Sequence, residues 1–203
     1  MALRVIAGRW RGRPLAAPEG MSTRPTASRA REALFSMLES RLGSLEGLAV
    51  LDLFAGSGAL GIEALSRGAA RALFVERDPA AIRAIRANLA RLGAQALGDV
   101  LPADATRLGP APAPFGLALL DPPYGAGLAG PALERLVRGG WLAPGAWVSL
   151  ETSPGEGLAL PPGLALAAER RHGPAWLRLL CSNFTSAGGT LSGHSVGNPS
   201  AQG

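Results

Sequence analysis

The stretch of residues 49–61 constrains the fold of this chain more than any other. Its first part, residues 49–54 (AVLDLF), is a short apolar run of the kind that forms a buried parallel strand. Its second part is rich in glycine and passes into a helical pattern. Gly56 and Gly58 permit a tight turn with positive φ, and they let a ligand approach the backbone closely. The first N–H groups of the following helix point into that turn. The stretch therefore predicts a strand, a glycine loop and a helix N-terminus that together bind a nucleotide-like ligand.

Asp52 indicates which kind of ligand this loop binds. Gly56, Gly58 and Gly61 match the spacing G-x-G-x-x-G, which is typical of dinucleotide sites but is a weak signal by itself. Asp52 lies four positions before Gly56, so we expect its carboxylate near the mouth of the loop, where it would repel a pyrophosphate. S-adenosylmethionine (SAM) carries an ammonium and a sulfonium group, so it would be attracted instead. An aspartate that caps the glycine turn and binds nothing is the structural alternative.

Composition excludes several classes of protein. The 203 residues, 47% of them hydrophobic, suit one domain with a sizeable core. A single cysteine excludes an internal disulfide and favours a reducing compartment. The basic N-terminus lacks the apolar segment of a signal peptide, and no apolar run is long enough to span a membrane. Two histidines and one cysteine, far apart in sequence, predict no metal site. We therefore expect a cytoplasmic protein without membrane or metal partners.

The net positive charge is confined to the first fifth of the chain. All 20 basic residues are arginine; eight of them, with only three acids, precede residue 42, whereas the rest of the chain has twelve of each sign. This asymmetry predicts an arm that faces nucleic acid, attached to a neutral body. Arginine binds phosphate with a bidentate fork, while Trp10 can stack on an unpaired base or pack on the body. A coding bias explains the choice of arginine but not its confinement to one end.

The basic segment continues into a predicted helix. Residues 22–28 (STRPTAS) predict a loop in which Thr26 or Ser28 caps the helix, and apolar residues then recur at helical spacing. Arg29 and Arg31 fall in the first turn, where the helix dipole disfavours cations. Residues placed against local preference hint at function, here a contact with phosphate or a base. A local salt bridge is the structural alternative for Arg31.

Beyond the glycine loop, strands and helices alternate up to residue 151. Short apolar runs predict further strands at residues 72–75, 100–101, 117–120 and 146–150. Such alternation implies a mainly parallel sheet covered by helices on both faces. Residues 164–168 and 176–180 predict a closing antiparallel pair. Glu76 ends the second strand, where an acidic residue accepts hydrogen bonds from ribose hydroxyls in nucleoside-binding α/β folds.

The second strong signal is Asp121-Pro122-Pro123-Tyr124, directly after an apolar run. The two prolines fix an extended bend and remove two N–H donors, so this rim is rich in acceptors. An exocyclic amino group presents two donors, which the Asp121 carboxylate and the Pro122 carbonyl can accept while Tyr124 stacks on the base. These hydrogen bonds free the nitrogen lone pair for attack on an activated methyl group, so positioning replaces a metal or a strong base. The base must leave its stack to reach the rim.

With these motifs together, the chain resembles the RsmD-type small-subunit ribosomal RNA guanine-N2 methyltransferases from Leu3 to about Leu180. The resemblance rests on residues 4–8 with 11–13, 23–26 with 29 and 31–35, 51–61, 74–76 and 120–124. The glycine loop and D-P-P-Y occur in many methyltransferases, whereas their combination with the Arg-Pro-Thr segment is more specific. It implies an α/β, Rossmann-like class I SAM-dependent methyltransferase with a mainly parallel seven-stranded sheet, helices on both faces and a small N-terminal extension.

The resemblance also implies domain limits and site residues. Residues 1–46 would form a basic extension, a short hairpin plus a helix, that contacts RNA; residues 47–181 would form the SAM-binding catalytic domain, and residues 182–203 a disordered tail. The catalytic residues would be Asp121, Pro122 and Tyr124. The SAM-binding residues would be Asp52, Phe54, Ala55, Gly56, Ser57, Gly58, Glu76, Arg77, Asp104 and Ala105, the last two near the adenine, although Asp104 in an ordinary turn is the alternative. The RNA-binding residues would be Arg4, Arg9, Arg11, Arg13, Arg24, Pro25, Thr26 and Arg29.

The implied reaction is methylation of the exocyclic N2 amino group of a guanine in 16S rRNA. Its substrate would be small-subunit particles or assembly intermediates, and the enzyme would be a cytoplasmic monomer that uses SAM and no metal. An adenine-N6 methyltransferase on DNA or RNA is one alternative, because D-P-P-Y serves both bases. A non-catalytic RNA-binding assembly factor is another. A NAD-dependent oxidoreductase is a third, against which Asp52 and D-P-P-Y argue.

Overall fold

The structure is a computed structural model that describes residues 3–18, 25–153, 157–173 and 175–184. The helices and strands seen in these residues are α1 Pro25–Leu42, β1 Ala49–Leu53, α2 Ala59–Ser66, β2 Arg71–Glu76, α3 Pro79–Leu92, β3 Gly98–Pro102, β4 Phe115–Leu120, α4 Ala129–Arg138, β5 Leu142–Thr152, β6 Leu164–His172 and β7 Ala175–Ser182. Short 3-10 turns occupy Gly8–Trp10 and Ala105–Arg107.

The seven strands form one sheet in the order β3-β2-β1-β4-β5-β7-β6. The first five are parallel, and β7 is inserted antiparallel between β5 and β6. The fold class predicted from the sequence is therefore confirmed, including the antiparallel closing pair. Because right-handed crossovers run outward in opposite directions from β1 and from β4, the carboxyl ends of these two strands border a switch point. Open α/β folds bind their ligands in the crevice at such a point.

Each face of the sheet has its own core. On one face, Phe35 of α1, Ile62 of α2 and Ile85 of α3 pack in one buried cluster with Val50 and Leu119 of the sheet. The opposite face is covered by α4, whose Leu133 and Leu136 are fully buried. Strands that are buried on both faces need continuous apolar runs, which is why β1 and β4 lack polar alternation. The two strands that border the switch point are thus rigidly held.

The N-terminal segment packs on the first of these faces. Val5 and Leu15 are buried in the same cluster as the helices α1 to α3. The segment turns back on itself: Val5 N–H donates to the Arg13 carbonyl at 3.0 Å, and Gly12 N–H donates to the Val5 carbonyl at 2.9 Å. Of the hairpin predicted in this extension, the structure shows an isolated bridge between Arg4 and Pro14. The segment is too short and too curved for a regular ladder.

Several predicted boundaries differ from the structure. Helix α1 already begins at Pro25, so the predicted loop over residues 22–28 is wrong from that residue onward, and neither Thr26 nor Ser28 precedes the helix. Proline is favoured at the first helical position because its missing N–H would be unpaired there. Helix α3 has the same feature, with Pro79 at its first position, and the Asp78 carboxylate before it accepts from two backbone N–H groups of α3.

The predicted start of the C-terminal tail differs from the structure. Ser182 belongs to β7, and Asn183 N–H donates to the Gly163 carbonyl at 2.9 Å. The predicted tail over residues 182–203 thus begins with ordered residues, and its remainder from residue 185 lies outside the described residues. Within the part of the chain that is described, no helix is both long and apolar enough to cross a membrane.

Candidate active site

The glycine loop follows β1 at the switch point. Gly56 and Gly58 have φ values of 55° and 77°, in the left-handed region that glycine tolerates. Phe54 has a φ of 57°, which is costly for an aromatic residue and is typical of functional sites. Gly58 N–H donates to the Ala55 carbonyl at 2.7 Å and closes the turn directly before α2. The predicted loop residues, Ser57 among them, therefore lie together at the N-terminal end of that helix.

Asp52 lies beneath this loop rather than at its mouth. Its side chain is 1% exposed, and its Oδ2 accepts the Gly61 N–H at 2.8 Å. A Cβ atom at Gly61 would lie 2.4 Å from the Phe74 ring, so the close packing of α2 on the sheet requires glycine there. Burial, followed by the charges of Asp121 and Glu76, raises the pKa of Asp52 well above its ordinary value. The expectation of a carboxylate at the loop mouth is corrected: Asp52 holds the loop from behind.

Glu76 organises the loop from the neighbouring strand. It ends β2, and its Oε2 accepts the Gly56 N–H at 2.8 Å. Its Oε1 accepts the N–H groups of Arg77 at 2.7 Å and Asp78 at 2.9 Å. The glycine loop is thus preformed around a carboxylate at the position that was predicted for a ribose contact.

Arg77, Asp104 and Ala105 lie on the far side of β2. Arg77 Nη1 is 3.3 Å from Asp104 Oδ2, in an ion pair that is largely exposed. Asp104 Oδ1 accepts the Thr106 N–H at 2.9 Å and its hydroxyl at 2.7 Å, and it thereby caps the 3-10 turn that contains Ala105. These hydrogen bonds and Arg77 lower the pKa of Asp104. Asp104 therefore has a structural role here, and its partner Arg77 borders the cleft.

The D-P-P-Y segment borders the opposite side of the switch point. It directly follows β4, and Pro122 is buried whereas Asp121 and Pro123 are exposed. Tyr124 is 53% exposed, which is unusual for a large aromatic side chain. An exposed ring beside an acceptor-rich rim is suited to receive a planar base.

Glu151, near the end of β5, completes this rim. The Tyr124 hydroxyl donates a hydrogen bond to its carboxylate. Although Asp121 reaches solvent, surrounding protein atoms desolvate its carboxyl group, and the negative charge of Glu151 repels it. The two effects raise the pKa of Asp121 from 3.8 to about 7. Glu151 was not among the predicted site residues; the available signal was an acidic residue directly after the apolar run 146–150, as Asp121 directly follows the run 117–120.

Four carboxyl groups therefore line the carboxyl edge of four parallel strands: Asp52, Glu76, Asp121 and Glu151. They interact electrostatically in a row, because the charges of Glu76 and Asp121 act on Asp52 and that of Glu151 acts on Asp121. None of the ion pairs found among the described residues involves any of the four. A cleft lined by carboxyl groups that are not ion-paired favours a positively charged ligand. The described residues contain no cluster of His, Cys, Asp or Glu arranged to hold a metal ion.

The predicted RNA-binding arginines lie along the N-terminal segment. Arg4, Arg9, Arg11 and Arg13 are exposed. Three of them donate one guanidinium N–H to a backbone carbonyl: Arg4 to Gly12 at 2.8 Å, Arg9 to Leu65 at 2.9 Å and Arg13 to Arg91 at 3.1 Å. Since a guanidinium has five N–H donors, each keeps donors for a phosphate.

The other predicted contacts lie at the start of α1. Arg29 is exposed, Pro25 and Thr26 form the first helical positions, and Arg24 lies outside the described residues. Arg31 is different, because it is only 6% exposed and donates to the Arg4 carbonyl at 2.5 Å. The hint that Arg31 contacts nucleic acid is therefore wrong, and its ion-pair partner is Glu63, at 3.9 Å.

Three buried polar residues, none of them predicted from the sequence, anchor the N-terminal segment. Glu63 of α2 is fully buried and accepts the N–H groups of Ile6 at 2.8 Å and Ala7 at 2.9 Å. Ser66 Oγ accepts the Trp10 N–H at 3.0 Å. Asn88 of α3 bonds both backbone groups of residue 16 and the carbonyl of residue 57 in the glycine loop. The only sequence signal was a polar residue on the apolar face of a helix.

Comparisons with known proteins agree with this geometry. The family model described as conserved hypothetical protein 95 matches residues 3–180. Ribosomal RNA small subunit methyltransferase D of Escherichia coli is 38% identical over 178 residues, which are 87% of this chain and 88% of that protein. The solved structure of the Escherichia coli protein yhhF superposes with a TM-score of 0.77 at 35% identity, over 90% of this chain and 98% of that one.

A more distant structure shows the fold alone. Magnesium protoporphyrin IX methyltransferase from Synechocystis, solved with bound SAM, is 13% identical and superposes with a TM-score of 0.60. The likeness covers 77% of this chain and 80% of that one. A SAM-dependent methyltransferase of unrelated substrate thus has the same sheet architecture.

Proposed function

The chain belongs to the family of conserved hypothetical protein 95, that of ribosomal RNA small subunit methyltransferase D, and we propose that it methylates the N2 amino group of a guanine in 16S rRNA with SAM as the donor. One observation carries the proposal. The acceptor-rich D-P-P-Y rim and the acidic glycine-loop cleft lie on the two sides of one switch point. An amino group and a cationic methyl donor would therefore meet there.

The cleft residues fit SAM. Gly56 and Gly58 keep side chains out of the loop, and the carboxylates of the cleft have no basic partner among the described residues, so they suit the ammonium and sulfonium groups. Glu76 would hold the ribose hydroxyls with the lone pairs that its backbone contacts leave free. Asp104 and Ala105 would border the adenine. When bound, SAM supplies a methyl group that is already activated on positively charged sulfur.

Asp121 and Pro122 would position the amino group. The Asp121 carboxylate and the Pro122 carbonyl each accept one N–H of the amino group. Tyr124 stacks on the base and limits access of water. Methyl transfer would form a nitrogen–carbon bond as the sulfur–carbon bond breaks, and it would leave the nitrogen with one proton too many. The Asp121 carboxylate is next to it and takes that proton. A pKa of about 7 suits this task, because an acceptor works best when its pKa lies near the working pH.

The basic extension, residues 1–46, would bind the RNA. Its exposed arginines carry the positive excess of the chain, whereas residues 47–181 form the catalytic body. The extension packs in the same buried cluster as Leu119, which lies two residues before Asp121. The substrate would be a small-subunit particle or an assembly intermediate, and the enzyme a monomer in the cytoplasm.

The test is methyl transfer from labelled SAM to unmethylated small-subunit particles, naked 16S rRNA and duplex DNA, with products digested to nucleosides. We expect N2-methylguanosine from the particles or the rRNA. Asp121→Ala should lower the rate at least about 100-fold, whereas Glu134→Gln, an exposed substitution on α4, should leave it unchanged. N6-methyladenosine would support the adenine alternative. No transfer by protein that still binds RNA would support a non-catalytic assembly factor.

A further inference from the structure

Glu151 and Asp121 lie side by side on neighbouring strands. Leu120 and Leu150 are the last residues paired between β4 and β5, in parallel register, and Asp121 and Glu151 directly follow them. Paired residues on parallel neighbours point to the same face, and the strands lie about 4.8 Å apart. The negative charge of Glu151 acts directly on Asp121, which shows that the two carboxyl groups are close. The rim thus presents two adjacent acceptors rather than one.

Glu151 has capacity for a further hydrogen bond. The Tyr124 hydroxyl donates to one of its carboxylate oxygens. An ionised carboxylate has two oxygens and about four acceptor positions. No arginine among the described residues pairs with it, since Arg178 on the neighbouring strand β7 pairs with Glu169 instead. A carboxylate at the end of a strand, beside the catalytic rim and without a cation, is available to a ligand.

We propose that Glu151 selects guanine by accepting its N1–H while Asp121 and the Pro122 carbonyl hold its N2 amino group. This inference rests on the proposed function and adds the residue that decides which base is accepted. On the Watson–Crick edge of guanine, the N1–H donor is adjacent to the N2 amino donors. Two neighbouring donors would therefore face two neighbouring carboxylates, with Tyr124 against the plane of the ring.

The same geometry rejects adenine and cytosine. In both bases the ring nitrogen beside the amino group is an acceptor with a lone pair and carries no hydrogen. Glu151, as a carboxylate, can only accept, so two acceptors would face each other without a hydrogen bond. A site built to bond one donor discriminates strongly against an analogue that lacks it, because its polar groups stay unpaired. The D-P-P-Y segment alone could hold the amino group of any base, and Glu151 restricts the site to guanine.

The test compares guanine with a base that lacks both N1–H and the O6 oxygen, and the change of this difference in Glu151→Gln isolates the part that depends on N1–H. The target guanosine, located by the labelled transfer described above, is replaced in 16S rRNA by 2-aminopurine ribonucleoside, which keeps the 2-amino group but lacks N1–H. The full-length wild-type protein should methylate 2-aminopurine with a kcat/KM about 100-fold lower than guanosine. Glu151→Gln, whose amide can both accept and donate, should narrow this ratio to within about fivefold. Its kcat/KM on guanosine should fall about tenfold.

Two further variants separate base reading from indirect effects. Tyr124→Phe removes the hydroxyl that bonds Glu151 but keeps the ring and the carboxylate, so activity falls while the ratio between the two bases is preserved. Glu134→Gln, which removes an exposed carboxylate on α4, should leave both the rate and the ratio unchanged. If Glu151 acted only by holding Tyr124, the Tyr124→Phe and Glu151→Gln variants would show the same ratio.

The outcomes are distinct. Equal wild-type methylation of guanosine and 2-aminopurine would overturn the role of Glu151 while leaving the proposed function standing, and this comparison needs no variant to fold. An unchanged ratio in Glu151→Gln would also overturn that role. Failure of the wild-type protein to methylate guanosine at all would overturn the proposed function itself. A large wild-type ratio that narrows only in Glu151→Gln would establish the inference.

Discussion

Replacement of Asp121 by asparagine should stabilise the protein in the absence of ligands. Asn has the same shape as Asp but no charge, so the substitution removes the repulsion between Asp121 and Glu151 and the cost of keeping a poorly solvated carboxylate ionised. The pKa of Asp121 rises from 3.8 to about 7 in the folded chain. At about 1.4 kcal/mol per pH unit, such a shift corresponds to about 4 kcal/mol of lost stability at neutral pH. Because Asp121 is partly exposed, solvent screening reduces the expected gain to about 1–2 kcal/mol.

The pH dependence of this gain has a definite sign. Between about pH 4 and pH 7 the folded protein keeps a proton on Asp121 that the unfolded chain loses, so the stability of the wild type falls as pH rises through this window. Above about pH 7 both states are ionised at this position, and the contribution is constant. Asp121→Asn lacks this contribution. The advantage of the variant should therefore be small at acid pH, grow up to about pH 7 and stay level above it.

Urea unfolding followed by circular dichroism at pH 5, 6, 7 and 8 measures this difference. At pH 8 the free energy of unfolding of Asp121→Asn should exceed that of the wild type by about 1–2 kcal/mol, and thermal unfolding at the same pH should give a melting temperature about 3–6 °C higher. Asp99→Asn, an exposed substitution on β3, is the matched control and should change the free energy of unfolding by less than about 0.5 kcal/mol. A destabilised Asp121→Asn at pH 8, or a gain independent of pH, would refute the electrostatic reasoning.

Three further predictions follow from the same geometry. SAM should bind up to about tenfold more tightly as pH rises from 6 to 8, because Asp121 becomes ionised beside a cation; S-adenosylhomocysteine, which lacks the sulfonium charge, should show a smaller rise in calorimetric titrations. Gly61→Ala should cost about 2–3 kcal/mol of unfolding free energy in the same urea assay, because its Cβ would lie 2.4 Å from an aromatic ring. The control Gly109→Ala, whose Cβ would have no atom within 4 Å, should cost almost nothing. Glu63→Ala should cost about 3–5 kcal/mol of unfolding free energy because it leaves the buried Arg31 guanidinium without its carboxylate, whereas Arg67 keeps its ion pair with Glu39; trypsin should then cleave the N-terminal segment faster than in the wild type.

The sheet could be predicted because its strands are continuous apolar runs separated by helical patterns. β1 and β4 are buried on both faces, so their sequences carry almost no polar residues, and the turns between them are marked by glycine and proline. The start of α3 was predictable for a similar local reason, since Asp78 and Pro79 form a cap within two residues. Local signals of this kind do not depend on distant parts of the chain.

The contacts between distant segments could not be predicted. Asp52 was expected at the loop mouth because only its spacing from the glycines was visible; its bond to Gly61 depends on how α2 packs on the sheet. Arg31 looked like an exposed arginine until the fold placed Glu63 next to it. Glu151 is 30 residues beyond Asp121 in sequence, and only the register of β4 against β5 makes the two neighbours. Each of these contacts depends on the tertiary structure.

The most direct test of the account is the identity of the nucleoside that carries the transferred methyl group. Unmethylated small-subunit particles are incubated with labelled SAM and the wild-type protein, and the digested RNA is analysed by mass spectrometry. We expect N2-methylguanosine at one position, formed by the wild type and lost in Asp121→Ala. Label on adenine, or label on guanine that persists in Asp121→Ala, would contradict it.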